Sequence, residues 1–303
     1  MALDHVVPMN CFIFVVTKPL QLIIATAIVS QLRGKGKVFL CVVDHFYDSK
    51  NVTERLKNEK SDWDGVCWFA DKKDAIFFAV SQEPKCIFVD SDVGFYNSIV
   101  LLVAKIISLK TLFYIFEEGI GSYRDDLYAW PKNKVLESLG IATSFGQSKS
   151  VSGIWLYEPS KYLKKFKNYN KECYKIDREV CVVIRENLDL FTRIFDFYDF
   201  FDGVVIQSST CNIYISSWSV DYDVIEQVSK KFGDLYIKQH PHIKYNEVKS
   251  NHVGMLIPTS VPAEIVVVRL LSFYSKVNIY HHGSSLVKYL PKMDGVTEFI
   301  ICI

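Results

Sequence analysis

The residues able to do chemistry in this 303-residue chain stand at the ends of apolar runs. Glu117 and Glu118 follow TLFYIF and lead into Gly119-Ile-Gly-Ser-Tyr123. Adjacent carboxylates repel and compete for protons, and glycines let the backbone turn sharply beside a substrate. A carboxylate there can act as general base toward a hydroxyl. The structural alternative is a strand-end turn carrying two solvated acids. Farther on, Gln239-His240-Pro241-His242 follows DLYIK, and an imidazole beside a rigid proline suits hydrogen bonding or charge donation to a phosphate. His240, His242 and the pair His281-His282 also raise a metal site, but no carboxylate or cysteine stands at ligand spacing. Val261-Pro262-Ala263-Glu264 opens an apolar helix. Capping and dipole complementarity account for Pro262 and Glu264, while the functional reading is a carboxylate accepting from ribose hydroxyls. His281-His282-Gly283-Ser284-Ser285 offers either an anion cradle of amides and hydroxyls or an N-cap serine. Asp90-Ser91-Asp92, after CIFV, is a DxD string that suits a divalent cation or, given the apolar helical stretch behind it, a helix cap.

The elements that must position these residues follow from hydrophobic patterning. CFIFVVT (11–17), KVFLCVV (37–43), VCWFA (66–70), CIFV (86–89), TLFYIFE (111–117) and GIWLY (153–157) alternate with helical patterns. Continuous apolarity marks strands covered on both faces, hence a parallel, doubly wound sheet. Lys161 to Glu179 holds seven Lys/Arg against three Asp/Glu with Tyr162, Phe166, Tyr169 and Tyr174 interleaved, a composition shift that reads as a linker. A helical pattern from Arg185 to Phe201 precedes a second βα rhythm at GVVIQ (203–207), DLYIK (234–238), VNIY (277–280) and EFIIC (298–302). The expected organisation is α/β, with Rossmann-like domains at 1–160 and 161–303 and a linker region over 161–200. No internal repeat or low-complexity tract is present. Ligands of open α/β sheets bind beyond the carboxyl ends of the strands, which selects the residues above and adds the loop Gln207-Ser208-Ser209.

Charge and composition limit the partners. A net charge of +1 gives no global field for a polyanion, so nucleic acid is not an expected partner. The eight cysteines are scattered without metal spacing and read as reduced, buried residues. The apolar stretch Cys11–Val29 lacks a basic flank and is broken by Lys18-Pro19, so it reads as strand then helix in a cytoplasmic protein. The basic aromatic stretch Lys161–Arg178 suits either a solvated linker or peripheral contact with anionic lipid.

Taken in order, the EEG, HP, PxE and SS elements resemble the motifs of bacterial sialyltransferases of the GT-B glycosyltransferase architecture: D/E-D/E-G in the N-terminal domain, HP in the C-terminal domain and a serine pair near the C-terminus. The 123-residue separation of Glu117 and His240 is similar to that in bacterial polysialyltransferases. Thr17-Lys18-Pro19-Leu20-Gln21 resembles the T/S-P-x-Q opening of glycosyltransferase family 52, with Lys18 inserted.

The resemblance implies two Rossmann-like domains facing each other across a cleft and transfer from CMP-sialic acid, with inversion, to a hydroxyl of a bacterial surface glycan. Glu117 would be the catalytic base, Glu118 its supporting acid, and His240 the acid or electrostatic stabiliser at the departing CMP. Ser284, Ser285 and Gly283 would hold the phosphate, and Glu264 and Pro262 the ribose. Gln207, Ser208 and Ser209 are weaker nucleotide contacts. Acceptor contacts are expected at Gln21, Asn97, Gly119 and Tyr123. Glutamate where several members have aspartate moves the base by about one methylene. No cofactor or metal is implied, because CMP leaves with about two negative charges that histidine, hydroxyl and amide donors can offset. A homodimer is one assembly the resemblance allows. Alternatives are another donor, such as CMP-Kdo or a nucleotide-diphosphate sugar, and a non-catalytic nucleotide- or glycan-binding module.

Overall fold

The computed structural model describes residues 10–202, 204, 206, 208–240, 254–290 and 293–301. Contacts divide the chain into unit 1 (Met1–His45 and Ser49–Glu179) and unit 2 (Phe46–Asp48 and Val180–Ile303). Unit 1 runs β1 (Cys11–Val16), α1 (Pro19–Leu32), β2 (Lys37–Val43), α2 (Ser49–Asn58), β3 (Gly65–Phe69), α3 (Lys72–Ser81) and β4 (Cys86–Val89). It continues with α4 (Phe95–Ile107), β5 (Leu112–Phe116), α5 (Trp130–Ser138), β6 (Gly153–Leu156), α6 (Pro159–Lys165) and β7 (Glu172–Lys175). Its seven strands lie in the order β3-β2-β1-β4-β5-β6-β7, every pair parallel.

The apolar runs become central strands because both faces are covered. All of β1 and all of β4 are buried, and Phe14 stacks on its register partner Phe88 with ring centroids 4.3 Å apart. Each such side chain contributes about 1.5–3 kcal/mol by leaving water. Pro19 opens α1, where its missing N–H costs nothing, and almost the whole helix is buried. The stretch Cys11–Val29 is thus a strand and a helix, and no helix among the described residues is long and apolar enough to cross a membrane.

The expected linker is a correction. Lys161–Glu179 instead builds most of α6 and all of the edge strand β7, and it belongs to unit 1. Tyr162 is fully buried, Phe166 and Tyr169 pack against it, and Tyr174 stacks on Trp155. These aromatics serve the core of unit 1 and do not form a lipid-facing stripe. β7 escaped the sequence reading because an edge strand is only half covered and can be polar.

Unit 2 runs α7 (Val180–Glu186), α8 (Leu188–Ile194), β8 (Thr210–Ile215), α9 (Tyr222–Ser229), β9 (Asp234–Lys238), β10 (Met255–Ile257), α10 (Ala263–Leu270), β11 (Lys276–His281) and β12 (Val296–Ile300). Its five parallel strands are ordered β10-β9-β8-β11-β12. The helical pattern of 185–201 is interrupted by Asn187 and by Asp196, whose φ is 55°. Among the described residues the first strand of the unit is TCNIYI; Gly203, Val205 and Gln207 of the expected GVVIQ lie outside them. Thr210 and Asn212 hid it, and the structure shows why asparagine is tolerated there: Asn278 on β11 sits in register and donates to Asn212 Oδ1 at 3.1 Å, while Asn212 Nδ2 donates to the Phe232 carbonyl. Among the described residues seven cysteines are free thiols; Cys302 lies outside them. Burial pushes the Cys11 thiol up to about 12, against a nucleophilic role.

Candidate active site

In unit 1 the strand order reverses between β1 and β4, where a doubly wound sheet opens a crevice at its carboxyl edge. The turns leaving β1, β4, β5 and β6 meet there. Thr17 Oγ1 donates to Asp90 Oδ2 at 2.5 Å, tying β1 to β4 across the reversal. Asp90 also forms a buried ion pair with Lys72 at 2.5 Å. Burial opposes ionisation of Asp90, but the Lys72 charge, hydrogen bonds from Lys72 and Thr17, and Lys18 together hold its carboxyl below the usual range.

Gln21, expected to touch the acceptor, is only 1% exposed. Its Oε1 accepts from the Thr17 and Lys18 amides at 2.7 and 3.0 Å, so it closes the β1–α1 turn. Asn97 is likewise committed inward: Oδ1 accepts from Lys72 at 3.0 Å and Nδ2 donates to the Val93 carbonyl. These two acceptor assignments are corrected to positioning roles. The DxD string resolves in the same way. Asp92 is fully buried and accepts from the Gly146 and Ser148 amides at 2.8 Å each, fixing the loop before β6. Burial raises its pKa against those bonds. Gly94, not Asp92, is the N-cap of α4.

The carboxylate pair is split by its surroundings. Glu117 is 0% exposed, and its Oε2 accepts from the Tyr123 hydroxyl and, at 2.9 Å, from the Tyr157 amide. Tyr123 is buried too and its oxygen accepts from the Glu158 amide at 3.1 Å, so it is not an acceptor contact. Together they lock the ends of β5 and β6. Glu118 turns the other way, keeps 19% of its side chain exposed and pairs with Lys18. Gly119 permits this reversal with φ 111°, a region L side chains rarely enter, and Ser122 Oγ accepts from the Glu118 amide at 2.7 Å. Gly119 itself is buried, so only its backbone could meet a ligand. A carboxylate buried and engaged as Glu117 is does not meet a sugar hydroxyl in this arrangement. Of the two glutamates, Glu118 is the accessible one. Lys18, which the motif comparison treated as an insertion, is its partner.

In unit 2 the order reverses between β8 and β11. His240 leaves β9, and its amide donates to Ser216 Oγ beyond β8 at 2.9 Å. Its ring lies against Trp218, centroids 4.6 Å apart, and Trp218 is 73% exposed. Ser216 and Trp218 were missed because β8, which ends at Ile215 just before them, was not read as a strand from the sequence. Ser208 and Ser209 stand before β8, at the amino edge, where Ser209 O accepts from the Ser275 amide at 2.9 Å; they are withdrawn as nucleotide contacts. Gln207, Pro241 and His242, and the side chain of Ser285, lie outside the described residues.

The expected anion cradle is also partly spent. His281 is fully buried; its Nδ1 accepts from the Gly283 and Ser284 amides at 3.0 Å each, and its Nε2 lies 3.0 Å from Glu298. An Nδ1 that accepts twice assigns the proton to Nε2, which donates to Glu298. Both amides that could meet a phosphate therefore end on an imidazole, and Ser284 Oγ caps the short turn Ser285–Lys288. Both ring nitrogens are thus used, which removes His281 from a metal set. Pro262 is the N-cap of α10 and Glu264 sits buried in its first turn. Burial raises the Glu264 pKa, with Lys238 opposing. Burial pushes the Lys238 ammonium down to about 7, with Glu264 opposing, and its Nζ donates to the Gln239 carbonyl at 2.7 Å.

No protein-family model matches the chain, and no curated protein matches it. Solved structures do. An α/β-galactoside α-2,3-sialyltransferase from the luminous marine bacterium Photobacterium phosphoreum aligns over 95% of this chain and 90% of its own, at 13% identity and TM-score 0.61. The GT-B domain of a sialyltransferase from Photobacterium damselae aligns over 96% and 90%, at 12% identity and TM-score 0.50. A UDP-N-acetylglucosamine 2-epimerase from Rickettsia bellii aligns over 93% and 76%, at 13% identity and TM-score 0.52. At these identities the likeness is one of architecture, and sialyltransferases and an epimerase share it. With its two parallel sheets, this chain has the GT-B fold.

Proposed function

We propose that the protein is an inverting glycosyltransferase, and specifically a sialyltransferase that moves sialic acid from CMP-sialic acid to a hydroxyl of a bacterial surface glycan. The observation that carries this reading is the partition of the EEG pair: one glutamate is buried as a brace and its neighbour is left accessible at the carboxyl edge of β5. A brace of that kind fixes a base; a solvated turn needs none.

In the proposed reaction Glu118 takes the proton of the acceptor hydroxyl as that oxygen attacks the anomeric carbon. The bond to the CMP phosphate breaks in the same in-line displacement, which inverts the centre. His240 offsets the charge on the departing phosphate, and the Ser284 hydroxyl is a further donor. Trp218, exposed beside His240, offers an aromatic face for the nucleotide or sugar. Glu264 is assigned to the ribose, which requires it to exchange its buried setting beside Lys238 for ligand hydroxyls. Lys18 pairs with Glu118 and holds it in place between turnovers. No metal enters this scheme.

The test is release of CMP from CMP-sialic acid in the presence of a galactose-terminated acceptor, repeated in excess chelator. Acceptor-dependent release that survives chelation supports the reading. No release with CMP-sialic acid, combined with turnover of a UDP- or GDP-linked sugar, overturns the donor assignment; dependence on a divalent cation overturns the metal-free scheme.

A further inference from the structure

α4 is apolar on both of its faces. Ser98, Val100, Leu101 and Ala104 pack inward, as a helix covering a sheet requires. Phe95, Tyr96, Ile99, Leu102, Val103, Ile106 and Ile107 are all exposed, and Leu109 extends the row beyond the helix end. Phe95, Ile106 and Ile107 are 62%, 64% and 62% exposed. Steps of three and four residues make these side chains one continuous stripe along about four turns of helix. Single exposed apolar residues need no explanation, but a helix apolar all round belongs to an interior, an interface or a membrane surface.

Charge selects among the possible covers. From Val93 to Phe116 the chain carries Lys105 and Lys110 and no carboxylate. Lys105 Nζ donates to the Leu109 and Thr111 carbonyls, which holds one positive charge at the carboxyl-terminal end of the stripe, and Lys110 is exposed beside it. At the other end the Tyr96 hydroxyl donates to Asp71 at 3.0 Å, and Asp74 also lies near it. There α5 begins nearby: a Cβ on Gly94 would come within 2.8 Å of the Tyr128 hydroxyl, and Lys132 lies over the Tyr128 ring. α5 opens on Trp130, which is exposed and has Lys134 over its ring. Apolar side chains, an exposed indole and lysines on neighbouring elements match the composition of a segment lying in a lipid headgroup region.

We propose that α4, with the start of α5, is a docking surface for an anionic lipid bilayer, on which unit 1 rests without spanning it. This replaces Lys161–Arg178 as the membrane-facing element and stands on unit 1 alone, independent of the donor chemistry. α4 starts at the carboxyl edge of the sheet, so a bilayer at the stripe would lie close to the turns that carry Glu118, where an acceptor anchored in lipid could reach.

The test is co-sedimentation of the full chain with vesicles of phosphatidylglycerol and phosphatidylethanolamine, and separately of phosphatidylcholine alone. The wild type should sediment with the anionic vesicles and do so less in high salt. Leu102→Glu with Ile106→Glu should weaken binding about tenfold or more, and Lys110→Gln about fivefold, with melting temperatures little changed because these side chains are exposed. Wild-type protein left in the supernatant with anionic vesicles would overturn the proposal, as would a folded double variant that still binds like wild type. A wild-type dimer that the double variant splits, with neither form binding vesicles, would overturn it in favour of a second copy as the cover.

Discussion

The carboxyl edges of the two sheets solve the same problem with different chemistry. Unit 1 assembles its edge from charges that neutralise one another: Asp90 with Lys72 below, Glu118 with Lys18 above, and Glu117 held by a phenol and an amide. Around His240 and His281, unit 2 relies more on rings, hydroxyls and amides: His281 gathers two amides beside Glu298, Ser216 orders His240, and Trp218 lies against its ring. An edge that must keep a base ionised benefits from a fixed cation. On the proposed reading, an edge that receives a phosphate benefits from rings and hydroxyls that bring no negative charge of their own.

The largest effect separating the two edges is expected at Asp90. Asp90→Asn leaves the Lys72 ammonium buried without its counter-ion and should cost about 3–5 kcal/mol in denaturant unfolding at neutral pH. The Asp90 carboxyl lies below its ordinary value in the folded state. Its contribution is therefore present in full above the unfolded pKa of about 3.9 and is lost as pH falls through the folded pKa. Stability of wild type and variant should converge in acid. Equal stability at pH 7 would mean that unit 1 does not rest on this pair.

A smaller loss is expected in unit 2. His281→Ala removes the acceptor of the Gly283 and Ser284 amides and the partner of Glu298, at about 2 kcal/mol, because the loop reaches water and can recruit it. The loss should be nearly the same in low and high salt, since the bonds it breaks join uncharged groups apart from Glu298. A loss that vanished in acid as completely as that of Asp90→Asn would erase the distinction between the edges.

How far these edges could be read beforehand depended on the kind of signal. β1, β2, β4 and β5 were visible because buried parallel strands are unbroken apolar runs. β8 was not, because Asn212 is buried with its oxygen accepting from Asn278 across the ladder and its amide donating to the Phe232 carbonyl, a pairing that only three dimensions reveal. β7 was lost to its edge position. The EEG turn and His240 were legible as strand-end residues, yet their division of labour was not: sequence spacing cannot say which of two adjacent glutamates Gly119 and Ser122 turn outward. Gln21, Asn97 and Tyr123 were assigned to ligand and proved to be internal braces, since polarity at a strand end looks the same whether it faces a substrate or a neighbouring turn. His281, first weighed as a metal ligand, is such a brace as well.

The most direct test compares Glu118→Gln and Glu117→Gln in acceptor-dependent CMP release, with thermal melts of both. Glu118→Gln should lower kcat about 10²–10⁴-fold with an unchanged melting temperature, whereas Glu117→Gln should lower the melting temperature first. A Glu118→Gln enzyme that turns over like wild type, beside a fully folded Glu117→Gln enzyme that does not, would contradict the account.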